Sequence, residues 1–303
     1  MNFVKPSVEI VTEPDLFRRI EIGARNCWRS DDKICEGSDI KMFDNLIKRG
    51  HESPLEHSNI VFEVDVESAA YLRSCLFDYI LDTIPTYIRS SYIGYGRYRF
   101  SGSARAWRNL CKSLPVNQAK EIGAFLPNEL VSDLHLPCNG HLAEKVNIDK
   151  MLINPQLDDT HTIVTARFIC DRGVSHELVR HRLLGISQES QRYVSYKDGC
   201  TFVEPWWWPQ QETADTQYVR MACQAAEDAY CNMVKMGCSP QKARCVLPNM
   251  LKTEVVATGT IEYWKRYVLP LRLSKAAHPD IRRIMEMFCE KMNWDPNDFR
   301  KDG

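Results

Sequence analysis

The sequence has no run of about 18 apolar residues, the length a helix needs to cross a bilayer, so no membrane span is expected. Its opening, MNFVKPSVEIVTEPD, carries acids where a secretion signal has an apolar stretch, and a cytoplasmic setting is expected. It also lacks a CxxC pair or a CxxC…HxxxH frame. The 12 cysteines lie scattered from Cys27 to Cys289, which argues against a zinc motif and a disulfide scaffold. They read as reduced, mostly buried small hydrophobes. Neither GxGxxG nor GxxxxGK[ST] occurs, so a Rossmann fingerprint and a P-loop are both excluded. Charge of one sign is missing too: 39 Lys and Arg stand against 40 Asp and Glu. A protein that coats nucleic acid needs a surplus of positive charge, so no nucleic-acid partner is expected. Any anion bound here must be met by a local site.

What is present is an ordinary globular composition, 44% hydrophobic and 26% charged over 303 residues, enough for one large domain or two smaller ones. VEIV reads as a strand, and Pro14 and Asp15 start a helix. DIKMFDNLIKRG has apolar residues at Ile40, Met42, Phe43, Leu46 and Ile47, which predicts a helix closing at Gly50. HESPLEH is a polar turn before NIVFEVDV, which alternates like a half-buried strand, and YLRSCLFDYILDTI is helix-like. A further strand, HTIVTARFICD, runs through Arg172 and Gly173 into SHELVRHRLLG, a predicted helix with Ser175 as N-cap. Trp206 to Trp208, between two prolines, mark a loop. Helices follow from about Thr213 to Gly237 and, at the end, through Lys291. Helices with a few strands, outside strict βαβ alternation, predict an α+β fold. SGSARAW and TGTIEYW share an S/T-G-S/T-x-x-x-W frame, short enough to arise by chance, and no other repeat is visible.

The stretch LVRHRLLGISQESQRY, Leu178 to Tyr193, concentrates positive charge with almost no acid nearby. On a helix Arg180, His181 and Arg182 would occupy three faces, about 100° apart. They read either as a solvated face or, given apolar Leu178, Val179, Leu183 and Leu184, as partly buried bases that need an anion. Guanidinium forks match phosphate oxygens, and Ser187 and Ser190 could add donors. Arg244 and Arg272 are lone arginines in apolar segments, either snorkelling at the surface or turned to the same anion as Arg192. HESPLEH offers His51, Glu56 and His57 as a turn, a ligand contact or a metal site, although Pro54 breaks the helix that HExxH requires. In LPCNGH, Cys138 and His141 could form a thiolate and base pair, or be an unremarkable loop.

RHRLLGISQESQRY fits RHR-x7-S followed one residue later by Arg-Tyr, and so resembles the signature of the flavin-dependent thymidylate synthases. HESPLEH is similar to that family's H-x-[ST]-x-x-E-H segment, DRGVSHELVRHR to the lead-in, and ARCVLP with T…TG…W…LR…AHP to its C-terminal half. The blocks occupy residues about 24–66 and 161–283, in the family's order. The resemblance implies one catalytic domain over 1–303, interrupted by an insert at about 67–159, with a mixed central sheet flanked by helices. It implies a homotetramer with shared active sites that converts dUMP to dTMP. FAD is the implied cofactor, with NADPH and 5,10-methylenetetrahydrofolate as co-substrates and no metal. Carried over by position, Ser53, Glu56, Arg180, His181, Arg182, Gln188 and Thr260 are FAD contacts. Glu177, Arg180, Gln188, Glu189, Ser190, Arg192, Arg244 and Arg272 bind dUMP. Arg272 is the catalytic residue, assisting ionisation of uracil N3.

The chemistry suits these types. C5 of uracil is a poor nucleophile, and loss of the N3 proton enriches the ring; a guanidinium can fork onto the ring oxygen and nitrogen and stabilise that anion. The sequence departs from the family at Gly185, usually serine, and at Thr260-Ile261-Glu262, where the family has Asn-x-Arg against the flavin. The SGSARAW echo suggests that Arg105 supplies that arginine. Two rivals stand beside this reading. One is a cysteine-dependent synthase using Cys138. The other is a nucleotide- or RNA-binding relic that clamps phosphate without turnover.

Overall fold

A computed structural model describes the backbone of residues 1–82, 87–134 and 158–300. The chain forms two compact units: Met1–Thr12, Glu21–Ser38 and Val164–Gly303 make the first, Glu13–Ile20 and Asp39–Ile163 the second. Along the chain come β1 (Asn2–Val4), β2 (Ser7–Val11), α1 (Leu16–Asn26), which contributes to both units, and α2 (Ser38–Lys48). The second unit continues through a 3-10 turn (Ser53–His57), β3 (Ile60–Asp65), α3 (Val66–Asp82), β4 (Arg89–Gly94) and β5 (Arg97–Gly102). It ends with α4 (Ala104–Ser113), α5 (Val116–Gly123) and α6 (Asn128–Val131). The first resumes with β6 (Ile163–Asp171), α7 (Arg172–Leu178), β7 (Gly185–Gln188), β8 (Thr201–Val203), α8 (Ala214–Lys235) and α9 (Pro240–Ala243). Last come β9 (Lys252–Thr260), α10 (Ile261–Tyr263), a π-helical turn (Trp264–Val268), α11 (Leu269–Arg272) and α12 (Pro279–Met292). The fold is α+β, as the element pattern predicts.

The first unit is organised by a four-stranded sheet in the order β2-β6-β9-β7. β9 lies inside that order, and six consecutive residues, Val255 to Thr260, are buried. An interior strand covered on both faces loses the alternation that marks a half-exposed one. Val8, Phe168, Ala257, Trp264, Ile284 and Phe288 share one buried cluster, which joins the sheet to α12. A second cluster gathers Tyr196, Phe202, Tyr230 and Leu251. β1 and β8 pair in parallel as a separate two-stranded sheet. In the second unit β3, β5 and β4 form an antiparallel sheet. There Phe62 packs on Trp107 at 4.8 Å and Phe125 at 5.1 Å between ring centroids.

Two local expectations are overturned. Asp171, not Ser175, caps α7, its side chain accepting from Val174 N at 2.7 Å. Ser175 is buried inside the helix, and its Oγ donates to Arg172 O. The helix predicted through SHELVRHRLLG stops at Leu178, and from Gly185 the chain is a strand paired to β9. Pairing Gly185–Gln188 to the sheet outweighs the local helix preference, which is only a weak prior. HESPLEH, in turn, is less polar than its composition: Pro54, Leu55 and His57 are buried. The second unit joins this turn to the segment that follows it, because Arg105 of α4 pairs with Glu56 at 2.5 Å and Lys112 with Glu52 at 2.6 Å.

The SGSARAW and TGTIEYW frames adopt the same local structure. Each ends a strand, β5 or β9, and each second hydroxyl residue caps the helix that follows: Ser103 accepts from Ala106 N, Thr260 from Tyr263 N. Each closing tryptophan, Trp107 or Trp264, is fully buried. The glycines are required by close approach. A Cβ on Gly102 would sit 3.1 Å from Trp107 Nε1 and 2.9 Å from Ile88 Cγ1, and one on Gly259 would run into Leu184. The echo is a strand–glycine–cap–helix–tryptophan device built twice.

Candidate active site

The end of α7 and the turn after it carry Glu177, Arg180, His181 and Arg182. Since α7 stops at Leu178, the three bases lie on a turn and not on three faces of a helix. His181 is buried, whereas Arg180 and Arg182 are exposed, as are Val179 and Leu183 between them. Of the two readings, the buried one holds for His181 alone and the solvated one for Arg180 and Arg182. The turn projects them because Leu178 and Leu184, on either side, anchor in the core. Neither arginine has an ion pair among the described residues.

Arg272, the last residue of α11, reaches this turn from 91 residues away in sequence. Its Nε donates to His181 Nε2 at 2.9 Å, Nη1 to Glu177 Oε2 at 2.5 Å, and Nη2 to the Glu177 carbonyl at 2.8 Å. A guanidinium has five N–H donors, so one on each Nη has no partner among the described residues. Burial and the Arg272 charge push the His181 pKa down to about 4. The imidazole is neutral at pH 7 and can accept from Arg272. Three residues singled out from the sequence, Glu177, His181 and Arg272, thus meet in one cluster.

β7 and the loop after it hold the remaining signature residues. Gln188 donates through Nε2 to Ser175 Oγ at 2.8 Å and Thr253 Oγ1 at 3.2 Å. Ser190 N donates to Cys27 O, and Ser190 Oγ accepts from Arg192 N at 3.3 Å. Arg192 donates to Gln241 of α9 at 3.2 Å, three residues before exposed Arg244. Glu189 is different, because its side chain is turned inward and is 1% exposed. One oxygen accepts from Tyr196 OH at 2.6 Å, and the other lies 3.4 Å from Lys252 Nζ and 3.9 Å from Arg29 Nε. Lys252 also pairs with Glu254. Behind them Arg167 reaches Asp31 at 2.5 Å and Glu254 at 3.7 Å. Thr260 is buried, with its hydroxyl engaged in capping α10. Ser53 and Glu56 belong to the second unit, where burial raises the Glu56 pKa against the opposing pull of Arg105.

Arg29, Arg167, Tyr196, Lys252 and Glu254 belong to no motif of the sequence. The Lys-x-Glu alternation of Lys252 and Glu254 on a strand was the one available signal, since period 2 places both on one face. Burial raises the thiol pKa of Cys27, holds Cys111, Cys200 and Cys289 at about 12, and Cys223 at about 11. These thiols are protonated at neutral pH and packed as apolar groups. Cys138 and His141 lie outside the described residues. Among the described residues no group of three or more His, Cys, Asp or Glu could hold a metal ion, and no helix is long and apolar enough to cross a membrane.

Residues 160–297 match the family model described as thymidylate synthase complementing protein. The flavin-dependent thymidylate synthase of Geobacter sulfurreducens is 42% identical over 134 residues, 44% of this chain and 57% of that protein. That of Mycobacterium tuberculosis (strain H37Rv) is 34% identical over 129 residues, 37% of this chain and 50% of that protein. The chain therefore spans about half the length of the curated relatives it matches. Among solved structures, the UMP/dUMP methylase PolB from Streptomyces cacaoi with 5-Br dUMP aligns over 96% of this chain and 90% of its own, at TM-score 0.39 and 16% identity. ThyX from Helicobacter pylori, complexed with FAD and dUMP, aligns over 43% of this chain and 67% of its own, at TM-score 0.35 and 19% identity.

Proposed function

Because residues 160–297 match the thymidylate synthase complementing protein model and this chain is 34–42% identical to flavin-dependent thymidylate synthases over part of its length, we propose that this chain reductively methylates dUMP to dTMP. Methylenetetrahydrofolate is the carbon donor and NADPH the reductant, acting through FAD. The observation that carries the reading is Arg272, held by Glu177 and His181 within the RHR-x7-S cluster, with two N–H donors left for a ligand.

The donor set fits a flavin dinucleotide. Arg180 and Arg182 present two guanidinium forks with no acidic partner among the described residues, a set suited to paired phosphates. With His181 and Gln188 they would hold FAD. Once bound, the flavin supplies hydride and carries the one-carbon unit. The protein's own groups bind, orient and stabilise charge. Ser190, Arg192 and Arg244 grip the dUMP phosphate. The free N–H groups of Arg272 stabilise the anion that forms at uracil N3 and its neighbouring oxygen. Glu189 contributes from behind, its buried carboxylate fixing the loop that carries Ser190. No protein nucleophile is required, so Ser190 serves as a hydrogen-bond donor and not as a covalent catalyst.

The chain works as one catalytic domain with its insert at about 67–159, in a homotetramer with shared sites. Arg105 stands in the SGSARAW device at the position Glu262 takes in TGTIEYW, and that echo alone is the ground for giving it a flavin-facing role; in the second unit it pairs with Glu56. Arg105→Ala with unchanged flavin affinity would remove that role. The decisive experiment is absorbance of the purified protein near about 450 nm, a flavin property, followed by tritium release from C5-labelled dUMP with NADPH and methylenetetrahydrofolate. Flavin with no release would indicate a binding-only relic. A colourless protein inactivated by Cys138→Ala would favour the cysteine-dependent route.

A further inference from the structure

Arg272 can act on a planar ring only if its guanidinium is fixed in the right plane, because a flexible side chain averages its donors over many directions. Glu177 supplies two fixing contacts, at Nη1 and Nη2, but both lie at the tip of the group. The third, from Nε to His181 Nε2, is on the stem side and sets the rotation about the side-chain axis. We propose that His181 is a positioning residue for Arg272: its Nε2 accepts from Arg272 Nε and, with Glu177, orients the guanidinium so that one N–H on each Nη meets a pyrimidine's ring oxygen and adjacent nitrogen. This rests on the reading of the site as a dUMP site and gives His181 a task besides any contact with flavin.

Three features agree with it. His181 is 5% exposed and Arg272 13% exposed on its side chain, so water competes little for the bond. The imidazole is held neutral, as an acceptor must be, and with Nε2 accepting its proton sits on Nδ1. His181 is also the one buried member of the Arg180-His181-Arg182 triplet. Its two neighbours project their charge outward while its ring turns into the cluster. Replacing both Glu177 contacts would free the tip, whereas removing the histidine leaves the tip anchored and lets the plane rotate.

The test compares His181→Phe, which keeps a ring without an acceptor, with His181→Gln, whose side-chain oxygen can reach the place of Nε2. In the flavin-loaded enzyme, His181→Phe is expected to lower kcat about 100-fold, the effect of an angstrom-scale misplacement, with KM for dUMP changed less than about threefold. His181→Gln is expected to recover at least about tenfold of that loss. A second readout is independent of turnover: the N3 resonance of bound 15N-labelled dUMP should move toward the neutral ring in His181→Phe and back in His181→Gln. Wild-type kcat in His181→Phe, or flavin loss with an unchanged N3 resonance, overturns the proposal. If the wild-type protein takes up neither dUMP nor flavin, the dUMP reading fails. The Arg272 Nε resonance of the unliganded protein still tests the contact itself. A shift between wild type and His181→Phe supports it, and identical resonances overturn it.

Discussion

Glu189 is buried inside the protein, where a carboxylate is costly unless paired and hydrogen-bonded. Tyr196, Lys252 and Arg29 meet that need. Glu189→Ala should therefore destabilise the protein by about 1–3 kcal/mol, read from urea midpoints, because it leaves the buried Tyr196 hydroxyl without its acceptor while Lys252 keeps Glu254. Tyr196→Phe, which removes one hydrogen bond, should cost about 1 kcal/mol. Two histidines set a pH dependence of the opposite kind. Burial, with the Arg19 charge, lowers the His57 pKa from 6.5 to about 3, and His181 falls to about 4. Both resist protonation when folded and accept it when unfolded. Unfolding free energy should thus decline as pH drops below about 6.5, continuing to about 4 for His181 and about 3 for His57. Urea titrations from pH 7 to pH 4 would detect it, and His57→Asn should flatten the slope. These residue-scale effects were only partly legible in advance. Arg180, His181, Arg182, Ser190 and Arg192 announce themselves by type and spacing. The partners of Glu189 do not, because Lys252 lies 63 positions away and meets it only through strand pairing.

Elements were more legible than their ends. α8 is expected from a stretch of small and acidic residues and α12 from its amphipathic pattern, and the structure adds the start of α8, Thr213 with Thr216 in a reciprocal capping box. Thr213→Ala should lower stability by about 1 kcal/mol. In the turn after α7, Leu183 and Leu184 look helical in isolation, but pairing of Gly185–Gln188 with β9 decides the conformation. The duplicated strand–glycine–cap–helix–tryptophan device yields a sharper prediction. Gly102→Ala and Gly259→Ala should each cost about 1–3 kcal/mol through overpacking, by thermal or urea unfolding. Gly102 should be the less forgiving, since the Tyr87 carbonyl, a backbone atom, would lie 3.3 Å from the new methyl. A glycine at an open turn such as Gly37 has no neighbour within 4 Å and is held by its backbone angle alone.

At the scale of the whole molecule, charge is balanced overall and uneven locally. Arg180, Arg182, Arg192 and Arg244 are exposed in the first unit, which is how a near-neutral chain can present an anion site. Nucleic-acid affinity with a steep salt slope would support the phosphate-clamp rival, whereas binding of dUMP with turnover supports the synthase. A homotetramer predicts a particle four times the 35.1 kDa chain in light scattering coupled to gel filtration. A mass of one chain would contradict shared active sites.

By itself the sequence determined the fold class, the family resemblance and the chemical types of the binding residues, because periodicity and a fixed-spacing signature are local and survive without coordinates. Only the tertiary structure decided which of those residues act on each other. It brought Arg272 onto Glu177 and His181, turned Glu189 inward, and used the hydroxyl of Thr260 as a helix cap. The physical reason is that donors and acceptors far apart in sequence are matched by strand register and burial. LVRHRLLGISQESQRY announces its charges, and the fold determines which meet solvent and which meet a partner.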